Sequence, residues 1–309
     1  MIFHKKRDFG ELISDTFEFF KTYGKNYLKT YLTINGGVLI LLLILVGVGF
    51  KDIIGQAFSS NLAGESYYFE EYFDQNSGTL IIVSILVVGL IFLLSMISYA
   101  FPVLYLDAAS KTKRNDFTVN EMFEKLKAKA GKIIIFSILS FIVFVPLLFI
   151  TFGLSAVLIF LIIGLFLIIA LIPIFTAVVN FTLFDYLTTD NGYFTALGRA
   201  FGFVFSKNFW KYLGGVIVMY FLVQIIVSVF SVIPAFISGV SAATIDTTGE
   251  EMSTLSIILI VVFYFLSLVA SFIASNAIYV MTGLMYYDSR EDLQREVHFD
   301  EIDSIGKNV

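Results

Sequence analysis

The sequence has no cysteine, which removes disulfides, thiolate metal sites and cysteine nucleophiles together. Histidine is nearly as scarce: His4 and His298, one near each terminus, are the only two. Nucleophile elbows, phosphate loops and zinc motifs of the common kinds are missing as well. We therefore expect no catalytic residue, no cofactor and no metal, and read the chain as a non-enzyme. Charge is also thin, at 15% of residues, where a soluble domain carries about 25%. The net charge of −5 gives no case for nucleic acid as a partner. The first apolar run starts only after some thirty residues, so no cleavable signal peptide is expected.

Hydrocarbon fills the space left by charge. Of 309 residues, 58% are hydrophobic and the mean hydropathy is +0.88, which makes a lipid bilayer the expected solvent and first partner. A membrane helix needs roughly 20 mostly apolar residues. Runs at 32–50, 79–106, 209–240 and 254–287 qualify. The unbroken stretch from Ile133 to Phe184 is too long for one span and must turn back between Thr151 and Gly164. The fold expected is all-α and integral to the membrane, with six transmembrane helices. Pro102, Pro146, Pro173 and Pro234 each fall in a different span, as hinges or merely kinks; bilayer proteins tolerate them because neighbours re-satisfy the freed backbone groups.

Lysine and arginine collect on cytoplasmic flanks. With the N-terminus inside, 19 of the 20 lie on that side and Lys51 alone lies opposite. The opposite loops carry Asp52, Glu65, Glu70, Glu71, Asp74, Asp246, Glu250 and Glu251 instead. This distribution predicts a multi-pass protein of the bacterial cytoplasmic (inner) membrane with both termini cytoplasmic. In the loop 51–78, the cluster Tyr67, Tyr68, Phe69, Tyr72 and Phe73 reads as an interfacial aromatic belt, with a docking site for an outer partner as the second reading.

An amphipathic segment precedes each outward span. In the first, Phe9, Leu12, Ile13, Phe17, Phe20, Tyr23, Tyr27 and Tyr31 form an apolar stripe at helical spacing, with Asp8, Glu11, Asp15, Glu18, Lys21, Lys25 and Lys29 opposite. Such a helix lies in the membrane interface or packs on a partner. Asp8 with Glu11, and Thr118 with Glu121, have the spacing of capping boxes. The second segment places Phe117, Met122, Phe123, Leu126 and Ala130 on its apolar side. The third, "YFTALGRAFGFVFSKNFWKYL", carries Gly198 and Gly202, which we expect to permit close packing.

The return spans end alike: "SMISYAFPVLYLD" (95–107), "PIFTAVVNFTLFD" (173–185) and "NAIYVMTGLMYYD" (276–288). Each closes on apolar or aromatic residues and then Asp, with Pro102, Asn180 or Gly283 five residues earlier. We read one polytopic membrane domain over 1–309, built of repeats 7–107, 116–185 and 192–288, with a cytoplasmic tail at 289–309. Each repeat is an interfacial amphipathic helix plus a transmembrane hairpin, and the copies share orientation.

On the segment "FGELISDTFEFF", the interrupted spans, and the ending in Tyr286, Tyr287, Asp288 and Arg290, the chain resembles the membrane domain associated with bacterial glycerophosphodiester phosphodiesterases and its stand-alone relatives of unknown role. The resemblance implies a multi-pass membrane domain over most of the chain. The phosphodiesterase barrel, with its histidine and acidic metal site, has no counterpart here, and no catalytic residue carries over.

The remaining candidates are polar groups in or beside spans. Asn180, Gln224 and Asn276, with Asn35, are neutral intramembrane amides, expected to hydrogen-bond between helices. Ser267, Ser271 and Ser275 recur every four residues, as on a helix-packing face. Asp107, Asp185 and Asp288 end the return spans, where the partial negative charge of a helix C-terminus opposes an acid. They either pair locally, with Lys111, Lys113, Arg114, Arg199 or Arg290, or surround one shared cytoplasmic site. These residues suggest a scaffold or accessory subunit of a membrane complex, with membrane-protein partners. The alternative is a carrier or channel for a lipid or small neutral solute.

Overall fold

The computed structural model describes residues 1–50, 66–159, 162–248 and 254–306, with side chains at 1–50, 74–159, 162–240, 255–256 and 258–291. Nine helices are described: α1 (Phe9–Gly49), α2 (Ser66–Thr112), α3 (Val119–Ala128), α4 (Ala130–Leu158), α5 (Ile163–Thr188), α6 (Tyr193–Val204), α7 (Phe209–Thr248), α8 (Thr254–Ala274) and α9 (Asn276–Gly306). No strand occurs among the described residues. Among the described residues, six segments are long and apolar enough to cross a membrane, in α1, α2, α4, α5, α7 and the α8–α9 pair. The described residues are thus all-helical, with the six long apolar helices of a multi-pass membrane protein. All four prolines sit inside these helices.

Both expected capping boxes form. The Asp8 carboxylate accepts from the Glu11 N–H at 2.7 Å, and Glu11 accepts from the Asp8 N–H at 2.9 Å. At α3, Thr118 accepts from the Glu121 N–H at 3.2 Å and donates its own N–H to Glu121 at 2.7 Å. Each exchange satisfies two backbone donors that a helix start leaves open. Thr118 also holds the Glu121 carboxyl below its usual range, with the Arg114 guanidinium nearby as a smaller cause.

The long apolar stretch turns between Leu158 and Ile163, inside the expected window. The backbone enters the left-handed region at Ile162, with φ 62°. Just beyond, a Cβ on Gly164 would run into the Ser155 carbonyl oxygen. Only glycine lets α5 start this close to α4.

The chain divides into two compact units: Met1–Tyr31 with Met96–Phe221 and Asn276–Val309, and Leu32–Ser95 with Leu222–Ser275. The hairpin α4–α5 lies wholly in the first unit, whereas the residues of α1, α2 and α7 are shared between the two. Within the first unit α5 packs against α4, α6 and α9. Its core is made by three stretches in which every residue is buried: Ala100 to Leu106, Asn180 to Leu187 and Val280 to Ser289. A helix buried all round belongs to a core. These stretches fall largely within the aspartate-ended segments aligned in the sequence. At Gly283 an added Cβ would stand 2.5 Å from Phe184 Cζ and 2.6 Å from Leu106 Cδ1, so α2, α5 and α9 meet where only a hydrogen fits.

The stripe on α1 divides: Leu12, Tyr23, Tyr27 and Tyr31 turn inward, and Phe9 and Phe17 do not. Its buried face is Leu12, Thr16, Phe19, Tyr23, Tyr27 and Tyr31, while Phe9 and Phe17 are 41% and 55% exposed. Asp15, expected on the polar side, is buried. A tally of apolar residues cannot see that Asp15 has a cation waiting inside: Arg7 Nε donates to it at 2.8 Å. With that face turned inward, Phe19 stacks on Tyr23 at 5.2 Å and meets Tyr27 and Tyr105 edge-on. In α3 the burial falls on Met122 and Leu126, with Phe117 just before it, and Phe123 is exposed. In α6 the inward face is Tyr193, Ala196, Ala200, Phe203 and Val204. Gly198 and Gly202 are exposed, and a Cβ added at either would meet nothing within 4 Å. The close packing expected of them is absent, because glycine brings no apolar surface to bury and the alanines take that face.

Candidate functional site

Two of the three aspartates that end the aligned segments, Asp185 and Asp288, are buried polar groups of the first unit. Asp288 is fully buried. Its carboxylate accepts from the Arg7 N–H at 2.6 Å, the Tyr212 hydroxyl at 2.6 Å and Lys211 Nζ at 2.5 Å. Lys211 also donates to the Arg7 carbonyl at 2.9 Å. A buried carboxylate is stable only with such compensation. The Arg7 guanidinium, itself buried, donates to Asp15, to the Phe3 carbonyl at 2.8 Å and to the Ile2 carbonyl at 2.7 Å. Its fixed fork of donors folds residues 2–7 over the end of the helices.

That segment is held by rings as well. Phe3 packs on Phe19, Tyr23 and Tyr287, and the His4 ring lies 4.7 Å from Tyr287. Partial burial holds the His4 pKa below its usual value; Glu291, 3.8 Å away, opposes the shift, and Arg290 and Arg7 add to it. Lys5 loses some basicity to burial, but its bond to Asp15 at 3.0 Å more than offsets this and its pKa lies above the usual value.

Asp185 is also buried. It accepts from Asn191 Nδ2 at 2.6 Å and from the Tyr286 hydroxyl at 3.0 Å, with Arg199 at 3.8 Å. Asp107 is partly exposed and pairs with Lys111, one turn later, at 2.8 Å. The neighbouring Tyr287 hydroxyl donates to Ser110 at 3.4 Å. The helices bearing Asp107, Asp185 and Asp288 therefore meet, and each carboxylate has its own donors. Lys111 and Arg199 were anticipated partners. Arg290 was anticipated too, but it donates to the Tyr286 hydroxyl at 3.4 Å, and Lys211 takes Asp288. Arg114 serves Asp116 and Glu121 instead.

Sequence reasoning missed Arg7, Lys211 and Tyr212 because their bonds to Asp288 span 281, 77 and 76 residues. The available signal was the aromatic-flanked "KNFWKYL", whose second lysine opens a span. The helix-end argument also needs correction. α9 runs on to Gly306, so Asp288 is mid-helix and no C-terminal dipole acts on it.

Among the intramembrane amides, Asn276 is buried and accepts from the Tyr27 hydroxyl at 2.7 Å, with Tyr31 hydrogen-bonded to both Asn276 and Ser98. Asn180 is buried and donates to its own helix, at the Thr176 carbonyl, 2.8 Å; the Thr176 hydroxyl meets that of Tyr220 at 2.7 Å. Gln224 is exposed. Asn35 is buried and has a partner. Ser267, Ser271 and Ser275 are half-buried, and the Ser275 hydroxyl donates to the Ser271 carbonyl at 2.7 Å, at the break between α8 and α9. The aromatic cluster at 67–73 lies outside the residues whose side chains are described.

Among the described residues, every buried side-chain nitrogen or oxygen has a partner, and no cluster of three acidic or histidine side chains is placed to hold a metal. Comparison with protein-family models, curated proteins and solved structures finds no match to this chain in any of the three.

Proposed function

We propose that this protein is a non-enzymatic scaffold or accessory subunit of a membrane complex. One observation carries the reading: the acids and bases of the aspartate cluster are committed to one another. Asp288, Lys211, Arg7 and Asp15 are bonded to one another, with Lys5 joining at Asp15, an arrangement that serves to fix architecture. The apolar faces of the spans, with residues such as Phe149, Phe166 and Phe236 about 70% exposed, offer surface to lipid and to membrane-protein partners. We place the protein in a bacterial inner membrane with both termini in the cytoplasm, on the lysine and arginine distribution. We read its spans as three repeats of amphipathic helix and hairpin, on the like burial of the three aspartate-ended segments. Kinship with the membrane domain of glycerophosphodiester phosphodiesterases belongs to the same proposal.

A carrier of a lipid or small neutral solute is the second reading. It is favoured by the buried hydroxyl and amide groups of Tyr27, Tyr31, Ser98 and Asn276, which would offer polar contacts within the first unit. Purification in mild detergent separates the two. A stoichiometric protein partner supports the scaffold; a tightly retained lipid without a partner overturns it in favour of the carrier. Orientation is tested with single cysteines, introduced freely into a cysteine-free chain. Those at Ser59 and Thr247 should react with an impermeant reagent in intact cells, and those at Ser14 and Ser110 should not.

A further inference from the structure

Two segments distant in sequence are tied together on the surface of the first unit. Asn26 of α1 donates its side-chain amide to the Phe117 carbonyl at 2.9 Å, and Asn115 donates to the Thr22 carbonyl at 3.4 Å. The 113–118 loop is thereby laid along one turn of α1, and α3 follows directly. Exposed lysines stand on the joined segments and on the helix that follows: Lys21 and Lys25 on α1, Lys113 on the loop, Lys125 and Lys127 on the two flanks of α3. Among the described residues, none of these five enters an ion pair. The other cations nearby are occupied. Lys111 holds Asp107, and Arg114 holds Asp116 and Glu121 and lies over the Phe117 ring. Glu18 and Glu124 are the exposed acids on the same helices, too few to neutralise the patch.

Apolar rings accompany the lysines. Phe17 is 55% exposed one turn before Lys21, and Phe123 is 52% exposed one turn before Lys127. Residues four apart share a helix face, so Lys21 stands beside the Phe17 ring and Lys127 beside the Phe123 ring. The patch lies at the foot of a span, since α4 begins at Ala130 and runs straight into apolar sequence. An exposed ring beside an unpaired lysine at a span entrance matches the bilayer interface, where the ring enters the acyl boundary and the ammonium meets the headgroup. Unpaired lysines in this position attract anionic lipid.

We propose that Lys21, Lys25, Lys113, Lys125 and Lys127, with Phe17 and Phe123, form a docking surface for the headgroups of anionic phospholipids. The proposal rests on the membrane reading but not on the scaffold reading. It differs from a general basic bias in that the Asn26 and Asn115 bonds tie the lysine-bearing loop before α3 to α1.

The test uses the full chain in mild detergent, titrated with fluorescent phosphatidylglycerol and with phosphatidylcholine carrying the same fluorophore. Phosphatidylglycerol should bind about tenfold more tightly at low salt, with the preference fading as salt rises. Replacing the five lysines by Gln should remove most of that preference, and replacing them by Arg should keep it. The substituted side chains are exposed, and unchanged thermal unfolding without added lipid will show that the variant is folded. Equal binding of the two lipids by the wild type overturns the proposal, as does a Gln variant that keeps its preference. Loss of an acidic protein partner in the Gln variant, with lipid preference intact, assigns the surface to that protein instead. Failure of the wild type to enter bilayers at all would overturn this inference and the membrane reading together.

Discussion

The α8–α9 pair places two opposite solutions within one span. α8, Thr254–Ala274, is almost wholly apolar, yet Leu255, Ile258 and Leu268 are 66%, 53% and 60% exposed. The first half of α9 carries Asn276, Thr282, Asp288 and Ser289, and all four are buried. In water the assignment would be reversed. With lipid outside, an apolar side chain gains nothing by turning inward, whereas an unpaired polar group on the lipid face is costly. Across this pair, burial follows polarity and aromatic interlocking, and not apolarity.

The contrast is broken most directly at Asp288. Asp288→Ala strands Lys211 and the Arg7 N–H in the core, and should cost about 3–5 kcal/mol. The check is thermal unfolding in detergent, with a sharp fall in folded yield expected. Asp107→Asn, by comparison, removes a pair whose lysine is largely exposed and should cost under about 1 kcal/mol. Near-equal losses at the two positions would mean that burial does not set the hierarchy.

Met281→Ala should cost about 2–5 kcal/mol, because the side chain is fully buried among its neighbours and leaves a cavity. Next comes Gly283→Ala. Its new methyl would press on Phe184 and Leu106, with an expected loss of about 1–3 kcal/mol. A neutral Gly283→Ala would show that α2, α5 and α9 can move apart at that level.

On α8 the matching change, Leu268→Ala, should lie within about 0.5 kcal/mol of wild type for the isolated protein. A large loss in the isolated protein would contradict its exposed assignment. Loss of a co-purifying partner with unfolding unchanged would mark this face as the scaffold surface.

The smallest effect concerns His4. Its pKa in the folded chain lies below the ordinary 6.5, so the folded state resists the proton. The contribution of the docked His4 is therefore complete above pH 6.5, declines as pH falls from there toward the lowered value, and is gone below it. Melting temperature should fall slightly on acidification through this window, and His4→Gln should flatten that part of the profile. A histidine this exposed gives a shift of modest size.

The sequence alone determined what depends on runs and on neighbours a few residues apart. Six spans follow from length and apolarity, and the reversal between α4 and α5 follows because no bilayer accommodates fifty residues in one crossing. The capping boxes at Asp8 and Thr118 also follow, since donor and acceptor are three residues apart. The pair of Lys111 with Asp107 belongs here too, one turn along a single helix. Tertiary structure alone decided which way each helix turns. The rotation of α1 that exposes Phe17 and buries Asp15 depends on Arg7 closing from outside the helix. The inward face of α6 fell to Ala196 and Ala200 and not to the glycines. Asp288 took Lys211 and Tyr212 from another helix and passed over Arg290, two residues away. The physical reason is common to all three. Apolarity along a membrane helix marks both its lipid face and its core face, so pattern cannot tell them apart. The long-range polar partners that do separate them exist only once the chain has folded.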